Sequence, residues 1–191
     1  MLLSVLLAYL VGCEDKSNTS TNDNVVQDVE EARKPQLYDD EFKRWASKMN
    51  AMLSKPMDDP KLKEANNDEG FEYYLKSQEV IREFPNQLLK ESKDIEKEHS
   101  NLFLLSSYIG HEQFIRTAHI DPNGKAKEAT ETSEKWKSPD PSMRKAFVYM
   151  KQIVNDIDVE VNHNGEGEIY GVTHLLNGKK VSEVEKFVKG E

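Results

Sequence analysis

Residues 141–161 read PSMRKAFVYMKQIVNDIDVEV, and the spacing of their apolar members decides the fold class. Met143, Ala146, Phe147, Met150, Ile153, Val154 and Ile157 recur at intervals of three and four, the period of one helix face. Asp140-Pro141 ahead of them supplies a capping carboxylate and then a ring whose fixed φ suits the first helical turn. The spacing predicts a helix from Pro141 to about Val161.

The same logic extends upstream. Tyr38, Phe42, Trp45, Met49 and Met52 or Leu53 fall three or four apart, with Asp39, Asp40 and Glu41 where the helix dipole favours negative charge, so a helix is expected from Leu37 to just before Pro56. Asp59-Pro60 repeats the cap-plus-proline start and predicts a short helix fading through Asn66-Asn67. Tyr74, Ile81, Leu88, Ile95, Leu102 and Ile109 then recur every seven residues. Of the second seam, Phe84 and Leu105 are apolar but Ser77, Glu91, Glu98 and Glu112 are not, which disfavours a long two-stranded coiled coil and favours packing inside a bundle. Pro85 removes a donor and clashes with the preceding turn, giving one helix over about 70–84 and a longer one over about 86–116, or one kinked helix. Leu102 to Ile109 is apolar almost all round and is expected near the centre of the core.

Downstream, Asp121-Pro122-Asn123-Gly124 is a turn, and residues 124–140 read as partly helix or as loop. Asn162 to Gly167 ends the 141–161 helix as a loop. Glu168 to Leu176 is β-leaning, with Ile169, Val172 and Leu175 facing inward, before Asn177-Gly178 turns the chain. Ser182 and Glu185 form a capping box for a last helix that docks Val184, Phe187 and Val188 and closes near Gly190. The expected fold is therefore mainly α: a small bundle of four to five helices with a short irregular or β-leaning C-terminal segment.

Composition narrows the partners. Charged residues make up 32% of the 191 and the formal net charge is -9 with a pI near 5.2. Such a surface repels phosphate backbones, so no nucleic acid is expected. It also carries no polybasic membrane patch, so membrane attachment would have to come from lipid or from a hydrophobic segment.

Residues 1–13, MLLSVLLAYLVGC, carry no charge and hold an apolar run from Leu2 to Val11. That run is too short for a spanning helix, which needs about 20 apolar residues, and has the length of a signal-peptide hydrophobic region. It ends in Leu10-Val11-Gly12-Cys13, which resembles the lipobox of bacterial lipoprotein precursors. The resemblance covers only these four positions and the run before them. It implies a signal peptide at 1–12, cleavage, and a diacylglyceryl group on Cys13, with fatty chains such as palmitate holding the protein on the extracytoplasmic face of the cell membrane. Cys13 is the sole cysteine, which excludes an intrachain disulfide. Two acyl chains suffice for stable attachment where one is marginal. Residues 14–36 are polar and rich in Asn, Ser, Thr, Asp and Glu, and read as a tether with a coil span of about 25–28 Å. Residues 37–191 read as a single helical domain.

No motif for chemistry accompanies this layout. The histidines, at 99, 111, 119, 163 and 174, lack metal-ligand spacing, and His111-Glu112 has no second histidine four positions after the first. A calcium loop starting at Asn162 would place Asn164, Glu166, Gly167 and Glu168 at positions 3, 5, 6 and 7. It fails at position 12, where Thr173 replaces the bidentate Glu. Asn162, Asn164, Glu166 and Glu168 are thus weak metal candidates, and a polar Gly-rich connection explains them as well. No Gly-x-Ser-x-Gly elbow or phosphate-cradling loop occurs. Carboxylate pairs such as Asp156 and Asp158, or Glu30 and Glu31, read as solvated faces, and the stripe Phe42, Trp45, Met49 reads as core before ligand groove. No cofactor and no catalytic residue is expected. The sequence points to a non-enzymatic envelope lipoprotein that meets a protein partner, with a small-ligand or calcium receptor as the alternative and an envelope hydrolase third.

Overall fold

The structure, a computed structural model, describes residues 38–57, 67–90, 92–120, 123–125 and 133–191, all within the unit Pro35–Glu191. Five α-helices and no strand are present among them. Helix α1 spans Asp40–Leu53, α2 Glu69–Arg82, α3 Lys93–Ala118, α4 Pro141–His163 and α5 Val181–Lys189, with 3-10 turns at Asn86–Lys90, Ser133–Lys135 and His174–Leu176. The short helix expected from Asp59 lies outside the described residues, as do Cys13 and the tether.

Each long helix begins on a side-chain cap. Asp39 accepts from Glu41 N, Asp68 from Phe71 N, Ser92 from Ile95 N and Asp140 from Met143 N, satisfying backbone donors that the helix itself leaves free. Pro141 occupies the start of α4 as expected. Helix α2 ends at Arg82, three residues before Pro85, and a 3-10 turn separates it from α3, so the proline stands between two helices and does not kink one.

Helix α4 is central: it packs against α1, α2 and α3, while α3 also lies against α2 and α5. Phe42, Met49, Leu102, Leu105, Ile109, Met143, Met150, Ile153 and Ile157 are fully buried between these helices. Phe42 stacks on Trp45 at 5.6 Å, and Phe84 meets the Trp45 ring edge-on at 4.8 Å, so the α1 stripe is core and not a groove.

Three expectations are corrected. The segment from Glu168 to Leu176 forms no strand, and Ile169 is exposed, while Val172, Thr173 and Leu175 are buried there. Helix α5 starts at Val181 with no side-chain cap, because Ser182 falls inside the helix, while Glu185 meets the His174 ring at 3.0 Å. The run Leu102 to Ile109 is not buried all round: Phe103 and Leu104 point outward, for a helix flanked by α2, α4 and α5 still leaves one side open.

Candidate functional site

Glu98 and Asp156, two carboxylates at 0% exposure on different helices, converge on the C-terminal segment. After α4, the chain turns on Asn164 and Gly165, both at positive φ, and returns along the bundle before Asn177 and Gly178 reverse it into α5. Two carboxylates hold this return segment. Asp156 of α4, fully buried, accepts from the backbone N–H groups of Tyr170 and Gly171 at 2.8 Å and of Val172 at 3.0 Å. Glu98 of α3, also fully buried, accepts from the His174 N–H. The segment makes few ladder bonds of its own, so side chains supply the acceptors that buried backbone donors require.

Glu98 is the more consequential of the two. Burial pushes its carboxyl up to about 7, against the opposing pull of the Thr173 hydroxyl and the His174 and Leu175 N–H groups, while Asp94 one turn earlier adds repulsion. Thr173 lies near enough to favour the charged form, yet Oε2 has no partner of good hydrogen-bond geometry, and neither has the buried Nδ2 of Asn101 one turn further along α3. The carboxyl therefore changes charge near neutrality inside the core.

The unfolded chain loses this proton near 4.5 and the folded chain near 7, so the folded state binds more protons between those values. Stability from this group is complete below about 4.5, falls as pH rises, and is fully lost above about 7, an effect of roughly 3 kcal/mol. Glu98→Gln keeps an acceptor for His174 N–H and cannot ionise. Urea unfolding at pH 4 and pH 8 is expected to show the variant about equal to the parent at pH 4 and more stable at pH 8. A difference independent of pH would refute the burial of a titrating carboxyl.

The residues singled out as metal candidates are not brought together. The Asn162 amide turns into the bundle, donating to Lys43 O at 2.9 Å and to Asp158 Oδ1 at 2.7 Å. Asn164 caps α4 in the left-handed region, and Glu166 and Glu168 are exposed. Among the described residues no group of three or more His, Asp or Glu side chains is placed to hold a metal ion. His99 packs on Phe84 at 4.7 Å and burial lowers its pKa, His111 and His163 are exposed, and His119 is the left-handed cap of α3.

Asp156 and Asp158 are both buried and not a solvated pair. Two residues apart on a helix, they face different neighbours: the return segment for Asp156, and the Asn50 and Asn162 amides, at 2.8 and 2.7 Å, for Asp158. Sequence reasoning missed this arrangement, although one signal was present. Glu98 stands three residues after Ile95 and four before Leu102, on the apolar stripe of its helix, which is how a buried acid looks in sequence.

A second buried polar cluster closes the opposite end of α3. Arg116, 4% exposed, donates from Nε to Lys137 O at 2.7 Å and from Nη1 to Gln113 Oε1 at 2.9 Å. Its guanidinium also pairs with both oxygens of Asp68 and lies 5.5 Å from the Trp136 ring. These bonds tie the 133–140 segment to the start of α2.

No protein-family model matches the chain, and no curated protein or solved structure matches it either. Function has to be argued from the residues themselves.

Proposed function

We propose that the protein is a lipoprotein of the cell envelope, anchored through diacylglycerol on Cys13, whose helical domain serves as a non-enzymatic interaction module. The observation that carries this reading is the uncharged apolar run that ends at the only cysteine of the chain. An acidic domain has no electrostatic attraction to an anionic bilayer, so lipid supplies the attachment. Among the described residues no helix is long and apolar enough to cross a membrane. In the domain, the supporting feature is the outward side of α3, which exposes aromatic side chains of the kind that interfaces bury.

The anchor is tested in the native host by palmitate labelling and intact-mass spectrometry. The parent chain is expected to begin at Cys13 with lipid mass added and to sediment with membranes. Cys13→Ser is expected to lose the label and most of the membrane-bound fraction. An unmodified Cys13, with residues 1–12 still attached, would sink the proposal.

A further inference from the structure

Residues 164–191 fold back on a bundle that α1 to α4 form among themselves. One joint, at Asn164 and Gly165, both at positive φ, links the segment to α4. Its helix α5 has nine residues, and a helix below about 12–15 residues is marginal when isolated, so α5 depends on docking. Val172, Leu175 and Val184 supply apolar contact and are buried. Polar attachment comes from two helices. On α4, Asp156 accepts from the N–H groups of Tyr170, Gly171 and Val172, and Asn155 Nδ2 donates to Glu168 O at 2.8 Å; on α3, Glu98 accepts from His174 N–H.

The two attachments differ in how well the acid is compensated. Both oxygens of Asp156 receive backbone donors, whereas Glu98 Oε2 has no partner of good geometry and neither has Asn101 Nδ2 one turn along. The charges around Glu98 do not offset its own. Asp94 repels it from one turn earlier, half-exposed Lys97 is paired with Asp94 at 2.9 Å, and the His174 ring turns to Glu185 of α5 at 3.0 Å. Helix α4 adds Asp156, a second acid on the same segment. Thr173, His174 and Leu175 are bonded across Glu98 and offer dipoles without charge. A carboxylate at 0% exposure is costly in such a place, and water reaches it once these three residues move away. Ionisation of Glu98 and departure of the segment therefore favour each other.

We propose that residues 164–191 act as a proton-dependent clasp: protonated Glu98 holds them closed on α3 and α4, and its ionisation shifts them toward an open form, hinged at Asn164 and Gly165, in which Val172, Leu175 and Val184 are uncovered. Opening is local, because the packing of α1 to α4 on one another does not pass through the segment. The open form holds Glu98 at its ordinary 4.5 and the closed form at about 7, so the closed form binds more protons and is favoured in acid. From pH 5 to pH 8 the opening constant is expected to rise roughly fiftyfold, and to level off above about 7.

The test is native-state hydrogen exchange of the full chain at pH 5 and pH 8, read as protection factors so that the intrinsic pH dependence of amide exchange divides out. Amides of Met150 to Val154 in the middle of α4 report unfolding of the whole domain. Those of Val184 to Val188 in α5 are expected to be less protected than these at both pH values, and to lose roughly fiftyfold in protection between pH 5 and pH 8. Two variants assign the proton. Glu98→Gln is expected to give α5 the same protection at both pH values, while His174→Ala, which keeps the backbone donor and removes the ring from Glu185, is expected to retain the pH dependence. Protection in α5 equal to that in α4 would show that the segment leaves only with the whole domain, and protection in α5 that does not change with pH would show that no proton controls it; either result in the parent chain overturns the proposal. A pH dependence that survives Glu98→Gln, or vanishes in His174→Ala, would move the control to the His174–Glu185 pair and overturn it as well.

Discussion

Gly178→Ala is expected to detach the C-terminal segment from the bundle. A Cβ at this position would lie 2.3 Å from the Gly171 oxygen, 2.4 Å from the Gly171 carbon and 3.0 Å from the Thr173 oxygen. All three are backbone atoms, so no side chain can swing aside. The contacts that would have to open include Gly178 N–H to Thr173 O at 2.9 Å and Lys180 N–H to Gly171 O at 2.8 Å, the bonds that close the reversal into α5. Separating those strands of chain also pulls on the donors that Asp156 and Glu98 receive. The cost is expected at about 4 kcal/mol or more, the range reserved for backbone clashes and broken buried networks. Hydrogen exchange should show the amides of α5 losing protection while the interior of α4 keeps it. Unchanged protection in α5 together with an unchanged melting temperature would contradict the close approach.

Arg116→Ala is expected to cost about 3 kcal/mol, the lower end of the penalty for breaking a buried ion pair, since the Asp68 carboxylate left behind is 29% exposed. The loss exceeds that of a surface pair because four acceptors depend on the one guanidinium: both oxygens of Asp68, Gln113 Oε1 and Lys137 O. Truncation also empties the space beside Gly70, where a Cβ would come within 2.9 Å of Arg116 Nη1, so the two positions are matched in shape. A fall in melting temperature of about 10 °C is expected. Arg116→Lys should recover only part of it, since an ammonium lacks the planar fork that spans Asp68. A drop of less than about 3 °C for alanine would show that the cluster is not energetically coupled to the fold.

These two sites show where sequence reading stops. The helices were legible because their evidence is local: a period of three and four in Phe42, Trp45 and Met49 or in Met143 to Ile157, and a capping Asp next to Pro141, act within one turn or two. Pro85 marked an interruption, but the sequence left open whether it ends a helix or kinks one, and the structure places it between α2 and α3. The failures share a different origin. Ser182 and Glu185 have the spacing of a capping box, but the helix begins at Val181, which puts Ser182 inside it, and Glu185 pairs instead with the His174 ring. Ile169 has the spacing of an inward strand residue, yet the backbone donors of the next three residues go to Asp156 and not to a neighbouring strand. Ser77 and Glu98 broke a seam pattern, and both are nonetheless fully buried.

By itself the sequence determined the helical class and the capped starts of the helices at Asp39 and Asp140, because periodicity and caps are properties of neighbouring residues. Tertiary structure alone decided that Glu98 and Asp156 meet one segment from two helices, that Arg116 reaches Asp68 across 48 positions, and which side of α3 stays exposed. Those facts depend on how helices are laid against one another in space. Burial and pairing of polar groups follow from that packing, not from spacing along the chain.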